Sequence, residues 1–122
     1  MSSGKITYVT LLADESIHPK YEAALEVVER ELLGRRYPMY IGQREVYAER
    51  EFEKRSPIDA SILIGHFQRG TRGHAVEALK AAHEAFNEWG ETDWRERVKI
   101  FRRIADVLEA RRFELAAAIT YE

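Results

Sequence analysis

The second half of this 122-residue chain repeats apolar side chains at helical spacing, and this repeat limits the possible folds more than any other feature. The repeat begins after Thr71, a favourable N-cap, and runs to Gly90, which is expected to stop a helix. Its members are Ala75, Leu79, Ala82, Phe86 and Trp89. Trp89 also clusters in sequence with Trp94 and Phe101, where packing is favoured over nucleic-acid stacking. The pattern predicts an amphipathic helix whose apolar stripe packs on a neighbour.

A second helical pattern follows Asp93, which can cap a helix with Glu96 in a capping box. Its apolar stripe is Val98, Phe101, Ala105 and Leu108, widened by Ile100, Ile104 and Val107. A face this wide predicts two packing neighbours. The helical pattern continues through 113–119 after an expected kink near Arg112, and it reaches Glu122 without a stop signal. We expect such an ending where a longer chain has been truncated.

The first half predicts one helix followed by short strands. A helix that contains Pro19 in its first turn and runs to about Leu33 is indicated by one apolar stripe. The stripe consists of Ala24, Leu25, Val28 and Leu32. Gly34 is suited to end this helix in the left-handed region. Residues 37–47 indicate a hairpin that turns at Gly42 and Gln43, and 52–55 and 61–67 are further strand candidates. They are separated by Pro57, which cannot donate to a β-ladder.

Together these elements predict an α+β fold of three to four helices with a small antiparallel sheet. We expect a single segment over residues 1–122. Within it, an N-terminal arm at 1–17, with a β-type run at 6–12, precedes a helix at 18–36. Short strands and a hairpin follow at 37–70, and a helical hairpin is expected at 71–122.

Composition places the chain among globular proteins and argues against several partners. Hydrophobic residues make up 45% of the chain, charged residues 33%, and the net charge is −2. This balance argues against disorder, and it offers no basic field for nucleic acid or an anionic membrane. No run of about 18 apolar residues indicates a membrane span, and the N-terminus lacks the apolar core of a signal peptide. We therefore expect a cytoplasmic protein.

The chain contains no cysteine, which excludes disulfides, cysteine-ligated zinc, iron–sulfur clusters and thiolate nucleophiles. The four histidines could suggest another kind of metal site. They are His18, His66, His74 and His83. No two of them are four residues apart, the spacing that places two imidazoles on one helical face. Surface or packing roles are therefore favoured over metal binding.

A glycine- and arginine-rich turn at 68–74 precedes the first helix of the second half. A helix N-terminus can bind an anion through its free N–H groups. The glycine spacing, however, fits neither a Walker loop nor a dinucleotide fingerprint, and we favour a solvated turn with a cap over a phosphate site. Asp106 and Glu109, set among Arg102, Arg103 and Arg111, favour surface ion pairs over an acid–base pair. We predict no catalytic, cofactor-binding or metal-binding residue in the chain.

Several stretches of the chain carry a resemblance to one enzyme superfamily. They are 74–89, 105–109 and 114–122, with 37–42 and 56–65 upstream. In their order and spacing they resemble the aldehyde dehydrogenase superfamily, and within it the 1-pyrroline-5-carboxylate dehydrogenases most. Those enzymes also carry a Tyr-Pro-x-x-Ile-Gly hairpin and an Arg-Arg-Phe-Glu-Leu-Ala run, which is found here at 111–116. The resemblance covers nearly all of the chain beyond residue 17.

The resemblance implies the N-terminal part of an enzyme that oxidises L-glutamate γ-semialdehyde to glutamate with NAD or NADP, in proline catabolism. In the family, the catalytic cysteine, the general-base glutamate, the oxyanion asparagine and the cofactor-binding segments lie downstream of this stretch. None has a counterpart in 1–122, so the resemblance implies that this chain alone binds no cofactor and has no dehydrogenase activity.

Three kinds of partner are compatible with this resemblance. In a parent enzyme the segment would support the cofactor domain and line subunit contacts. The missing dehydrogenase domains could instead be supplied by another chain. Alternatively, the chain is a stand-alone, non-catalytic assembly or interaction module, whose apolar faces pair with copies of itself or with a full-length relative.

Overall fold

Four helices and five short strands make up the part of the chain that the computed structural model describes, residues 14–122. The helices are α1 (Ile17–Glu31), α2 (Arg72–Glu91), α3 (Trp94–Ala110) and α4 (Arg112–Tyr121), and the strands are β1 (Arg35–Tyr37), β2 (Met39–Ile41), β3 (Arg44–Val46), β4 (Glu51–Arg55) and β5 (Leu63–Gln68). The expected α+β fold is confirmed. Most of the arm predicted at 1–17, including its β-type run, lies outside the described residues.

The core lies between α1 and α4. Ala24 and Val28 on α1 are buried against Ala117 on α4, and Val28 is only 1% exposed. Leu25 and Leu32 pack around this cluster and are partly buried. The apolar stripe predicted for the first helix is therefore confirmed, and its partner is the last helix of the chain.

α1 ends at Glu31, close to the end near Leu33 that its apolar stripe predicts, and before residue 36, where the segment assigned to this helix ends. The N–H of Leu32 still reaches the carbonyl of Val28 at 2.8 Å, and Gly34 then turns the chain with φ +72°. The N–H of Gly34 bonds the carbonyl of Leu63 at 3.0 Å, which brings the following residues beside β5. The prediction of a helix as far as residue 36 is wrong over Arg35 and Arg36, because these residues satisfy their backbone groups in a sheet.

The three-stranded sheet has the order β1-β5-β4 and is mixed. β4 pairs with β5 antiparallel, as expected, whereas β1 pairs with β5 parallel. Tyr37, Phe67 and Phe52 are neighbours in this register, with ring centroids 5.2 and 5.9 Å apart along the row. β4 ends at Arg55, two residues before Pro57, as the missing N–H of proline predicts.

β2 and β3 form the predicted hairpin. Ile41 pairs with Arg44, so Gly42 and Gln43 are the two turn residues, and Gly42 has φ +61°. Ile41 is buried, and α2 lies against β2. The hairpin turn was predictable because a two-residue turn of this kind requires the positive φ that glycine adopts without strain.

α2 begins at the predicted cap and ends later than predicted. The Thr71 hydroxyl accepts the N–H of His74 at 3.4 Å, and His74 Nδ1 accepts the N–H of Thr71 at 3.1 Å. The helix continues through Gly90, so the predicted stop there is wrong. Its end comes at Thr92, whose N–H and hydroxyl both bond the carbonyl of Glu88. A glycine inside a helix costs only about 1 kcal/mol, which the surrounding turns can offset.

α3 begins at Asp93, whose carboxylate accepts the N–H of Arg95 at 2.7 Å. The predicted capping box is wrong, because the Glu96 carboxylate pairs with Lys99 Nζ at 2.6 Å. Arg111 separates α3 from α4, which agrees with the kink expected near residue 112. None of the helices in 14–122 is both long and apolar enough to cross a membrane.

Candidate docking face

Helix α3 presents an apolar face that the described part of the chain leaves open. We call the α3 face the five side chains Val98, Phe101, Ile104, Val107 and Leu108. Their exposed fractions run from 37% at Val98 to 64% at Phe101. The sequence predicts two packing neighbours for this face, and residues 14–122 do not supply them.

The apolar stripe of α2 is open as well. Its large members Leu79, Phe86 and Trp89 are exposed, Leu79 to 72%, and so is the neighbouring Val76. If the helical hairpin expected at 71–122 packed α2 against α3, the apolar stripe of each helix would cover that of the other. The helices come in the expected order, but none of their side chains is buried.

Arginines cover the tryptophans at the α2–α3 turn. The Arg97 guanidinium lies 5.9 Å from the ring centre of Trp89, and that of Arg95 lies 4.5 Å from the ring centre of Trp94. These are cation–π contacts at an exposed site. The two tryptophan rings and that of Phe101 are all exposed, so the packing predicted for this cluster is not provided by the described residues.

A groove of about 380 Å³ runs along the α3 face. It is lined by Ile100, Ile104, Val107 and Leu108, with Arg103 at its edge. The groove walls are apolar apart from this guanidinium. It can therefore accept apolar side chains and, at one edge, an anionic group.

The ion pairs of α3 differ from the expected ones. Glu109 pairs with Arg112 at 2.5 Å, and Arg111 pairs with Glu114 at 2.8 Å. Within 14–122, neither Arg102 nor Arg103 has a carboxylate partner. Arg103, at the edge of the groove, is therefore a cation that the rest of the described chain does not pair with a carboxylate.

A second depression, of about 450 Å³, lies at the start of α2. Arg50, Arg69 and His74 line it, and it includes part of the turn at 68–74, a possible anion site by its sequence. The Thr71 and His74 groups at this helix start bond one another, and the N–H of Arg69 bonds the carbonyl of Arg50 at 2.9 Å. These contacts are those of a capped turn, the interpretation that the sequence favoured.

The four histidines lie on three elements of the fold. His18 lies on α1, His66 on β5, and His74 and His83 on α2. Over residues 14–122, no three histidine, aspartate or glutamate side chains converge on a point that could hold a metal ion.

A buried glutamine joins the three-stranded sheet to the loop that borders the depression at the start of α2. Gln68 accepts the N–H of Ala48 at 2.8 Å and donates to the carbonyl of Tyr37 at 3.1 Å and to the Glu51 carboxylate at 2.5 Å. Glu51 also accepts from Arg36. The hydrogen bond from Arg36, followed by that from Gln68, lowers the pKa of Glu51 below its ordinary value. Sequence reasoning missed this network because its members are 15 to 31 positions apart.

Comparisons with known proteins match these elements to one part of longer relatives. The sequence model of the Aldehyde dehydrogenase family matches residues 45–122. A 1-pyrroline-5-carboxylate dehydrogenase from Geobacillus thermodenitrificans is 36% identical over 100 residues, which is 82% of this chain and 19% of that protein. 1-Pyrroline-5-carboxylate dehydrogenase 2 from Bacillus subtilis is 30% identical over 113 residues, or 93% of this chain and 22% of that protein.

Solved structures give the same match. A mutant of Thermus thermophilus 1-pyrroline-5-carboxylate dehydrogenase superposes with a TM-score of 0.84 at 29% identity, over 88% of this chain and 21% of that one. A Thermus 1-pyrroline-5-carboxylate dehydrogenase with bound NAD gives a TM-score of 0.83 over the same shares, also at 29% identity. The chain spans about a fifth of the length of the curated relatives that it matches.

Proposed function

The chain belongs to the aldehyde dehydrogenase family, and from this membership we propose that it is the N-terminal segment of an NAD(P)-dependent 1-pyrroline-5-carboxylate dehydrogenase. Such an enzyme oxidises L-glutamate γ-semialdehyde to glutamate in proline catabolism. The observation that carries the proposal is the agreement of fold with sequence, since relatives of this name match both in sequence and, at a TM-score of 0.84, in structure.

The segment contributes structure to the reaction, and its chemistry is supplied elsewhere in the enzyme. Aldehyde oxidation in this family begins with a thiolate that forms a thiohemiacetal, and this chain has no cysteine. The relative with bound NAD supports a nicotinamide cofactor for the complete enzyme. We place the reacting groups and the cofactor site in the four-fifths of such an enzyme that this chain does not match.

An assay of the isolated chain tests the proposal that the reacting groups are supplied elsewhere in the enzyme. We expect the purified 122-residue chain to produce no NADH or NADPH from the semialdehyde above the rate without protein. The Thermus relative, assayed in parallel, is the positive control. Turnover by the isolated chain would contradict the proposal.

A chimera tests the family role. The matched segment of the Thermus relative is replaced by this chain, and the product is assayed with the semialdehyde and NAD. We expect a folded dehydrogenase with activity comparable to that of the unaltered relative. A chimera that is insoluble or inactive, under conditions where the unaltered relative is active, would overturn the proposal.

The second candidate function is a stand-alone assembly or interaction module, and the open apolar side chains of α2 and α3 favour it. Size-exclusion chromatography of the isolated chain over a wide concentration range tests it. Concentration-dependent association would support this candidate, and a clean monomer at every concentration would count against it.

A further inference from the structure

Two arginines stand opposite each other in the depression at the start of α2. The N–H of Arg69 bonds the carbonyl of Arg50 at 2.9 Å, one position beyond the pair that Glu51 and Gln68 form at the start of β4 and the end of β5. Residues opposite each other in such a ladder carry their side chains on the same side, and both arginines line the depression. Because like charges placed directly opposite are destabilising, this pair costs free energy unless an anion compensates it.

The described residues do not supply that anion. No carboxylate of residues 14–122 lies within ion-pair distance of either guanidinium. Among the described residues that line the depression, Glu49 is the one acidic member, and it forms no ion pair with them. Two guanidiniums against one carboxylate leave a surplus positive charge, which favours an anionic ligand.

A third hydrogen-bond donor comes from α2. His74 lines the depression, and its Nδ1 accepts the N–H of Thr71 at 3.1 Å. A neutral imidazole whose Nδ1 accepts a hydrogen bond carries its proton on Nε2, so the Nε2–H remains a donor. The backbone N–H of His74 is engaged by the Thr71 hydroxyl. The donors available to a ligand are therefore side chains and do not depend on the helix N-terminus.

The size and the donors of the depression select the ligand. Its volume of about 450 Å³ lies within the range of small-molecule sites, roughly 300 to 1,000 Å³. Residues 47–50 and 69–71, together with His74, form its walls. One carboxylate is matched by a single guanidinium fork, whereas a tetrahedral phosphate has enough oxygens to accept from two guanidiniums and an imidazole at once. The donor set therefore favours a phosphate group.

We propose that this depression binds the phosphate group of a small molecule, either inorganic phosphate or a phosphate monoester, through Arg50, Arg69 and His74. These residues belong to the β3–β4 loop, the segment after β5 and the first turn of α2. A bound phosphate would thus join three elements and stabilise the folded chain. The proposal uses residues of this chain alone and does not depend on the proposed function.

Titration of the isolated 122-residue chain with inorganic phosphate tests the site. Backbone amides are followed by NMR, with sodium chloride of equal ionic strength as the reference. We expect saturable shifts confined to amides of 47–50 and 69–74, with a Kd on the order of 1 mM. Tm should be higher in phosphate than in the chloride reference, because the ligand binds the folded state. Shifts that do not saturate, or that chloride reproduces, would overturn the site.

Charge-matched variants locate the binding. Arg50→Gln and Arg69→Gln each remove one guanidinium of the depression, and Arg102→Gln removes the same charge on α3. We expect each of the first two to weaken phosphate binding about tenfold and Arg102→Gln to leave it unchanged. Equal weakening by all three variants would mean that phosphate responds to net charge alone, and the inference would be wrong.

The stability of the variants provides an independent check. Without phosphate, Arg69→Gln should have a Tm at least as high as the wild type, because it relieves the repulsion between the paired arginines. In phosphate, the wild type should gain stability and this variant should not. A lower Tm of Arg69→Gln without phosphate would show that its guanidinium is already compensated within the chain, which contradicts the proposal.

Two further probes identify the ligand. Glycerol 3-phosphate carries the phosphate as a monoester, and succinate carries a similar charge on two carboxylates. We expect glycerol 3-phosphate to shift the same amides as inorganic phosphate. Tighter binding of the ester would assign a phosphate monoester, and weaker binding would assign inorganic phosphate. Succinate that binds as tightly as phosphate would overturn the assignment to a phosphate group.

Discussion

Gly65 is the residue of the sheet that tolerates a side chain least. A Cβ built at this position would lie 2.8 Å from the carbonyl oxygen of Arg35 and 2.8 Å from the ring of Tyr37. The first of these atoms is backbone, which cannot move without disturbing the parallel pairing of β1 with β5. The absence of a side chain at Gly65 is thus what allows β1 and its aromatic ring to approach the central strand.

Gly65→Ala is therefore expected to lower the free energy of unfolding by about 2 kcal/mol, the usual cost of overpacking. Gly73→Ala is the matched control. Its Cβ would meet only the Thr71 hydroxyl at 3.5 Å, and alanine in a helix is favoured by about 0.5–1 kcal/mol. Urea unfolding followed by circular dichroism measures both. Equal stabilities of the two variants would contradict the account of β1 packing.

Glu51 gives the sheet a dependence on pH. Its hydrogen bonds to Arg36 and Gln68 lower its pKa in the folded protein from the ordinary value of 4.5. A carboxyl group whose pKa falls on folding stabilises the folded state above the ordinary value, and this contribution is lost as the pH falls through the lowered pKa. The Glu51 contribution is therefore present at neutral pH and disappears in acid.

We expect Glu51→Gln to be less stable than the wild type at neutral pH and to lose less stability between neutral pH and pH values below 4.5. Glu49→Gln, a neighbouring carboxylate substitution, serves as the control and should leave the pH profile of the wild type unchanged. Urea midpoints measured across this pH range give the comparison. A profile for Glu51→Gln parallel to that of the wild type would show that the network does not act through this carboxylate.

Among the elements, α1 and α3 are both amphipathic, but only α1 finds its partner within the described chain. Val28 on α1 is almost completely buried against α4, whereas Val107 on α3 is 56% exposed. The same residue type at helical spacing therefore contributes differently to stability in the two helices. The difference is whether another element packs on the valine. Helical periodicity predicts that such a neighbour is needed, but not whether the chain provides it.

Two identical substitutions measure this difference. Val28→Ala is expected to cost about 2 kcal/mol of unfolding free energy, because it leaves a cavity in the α1–α4 core. Val107→Ala in the isolated chain is expected to change it by no more than about 0.5 kcal/mol. Thermal and urea unfolding give the two values. A cost at Val107 equal to that at Val28 would mean that the α3 face is already packed in the isolated chain.

At the scale of the molecule, the described chain combines a packed part with an open part. α1, α4, the strands and the loops between the strands contain the buried residues, while α2 and α3 bury none of theirs. Local opening costs least where few apolar contacts must be broken. The two parts of the isolated chain should therefore differ in local stability.

Hydrogen exchange followed residue by residue can detect this difference. In the isolated chain we expect the amides of α3 to exchange more than about tenfold faster than those at the centre of α1 and β5. Residues near the middle of each helix, such as Ile104 on α3 and Ala24 on α1, give the fairest comparison because helix ends fray. Uniform protection across α1, β5 and α3 would contradict the division.

Local patterns in the sequence were sufficient for the existence and order of the helices, for the hairpin and for the lack of a thiol nucleophile, but not for where the first two helices end. Thr71, Asp93 and Gly34 act where their own backbone and side-chain chemistry predicts, because caps and turns depend on residues that are neighbours in the chain. The same holds for the turn at Gly42, whose positive φ favours glycine. The order of the motifs, in turn, carried the resemblance to the family that the comparisons then matched.

Only the tertiary structure decided which apolar surfaces are covered. Three contacts join residues that are distant in sequence. They are the parallel pairing of Tyr37 with Phe67, the hydrogen bond between Gln68 and Ala48, and the burial of Val28 against Ala117. No local propensity specifies such contacts, because their free energy depends on what the folded chain brings alongside. The same reasoning explains the α3 face. Its sequence requires a neighbour, and the fold of residues 14–122 leaves that requirement open.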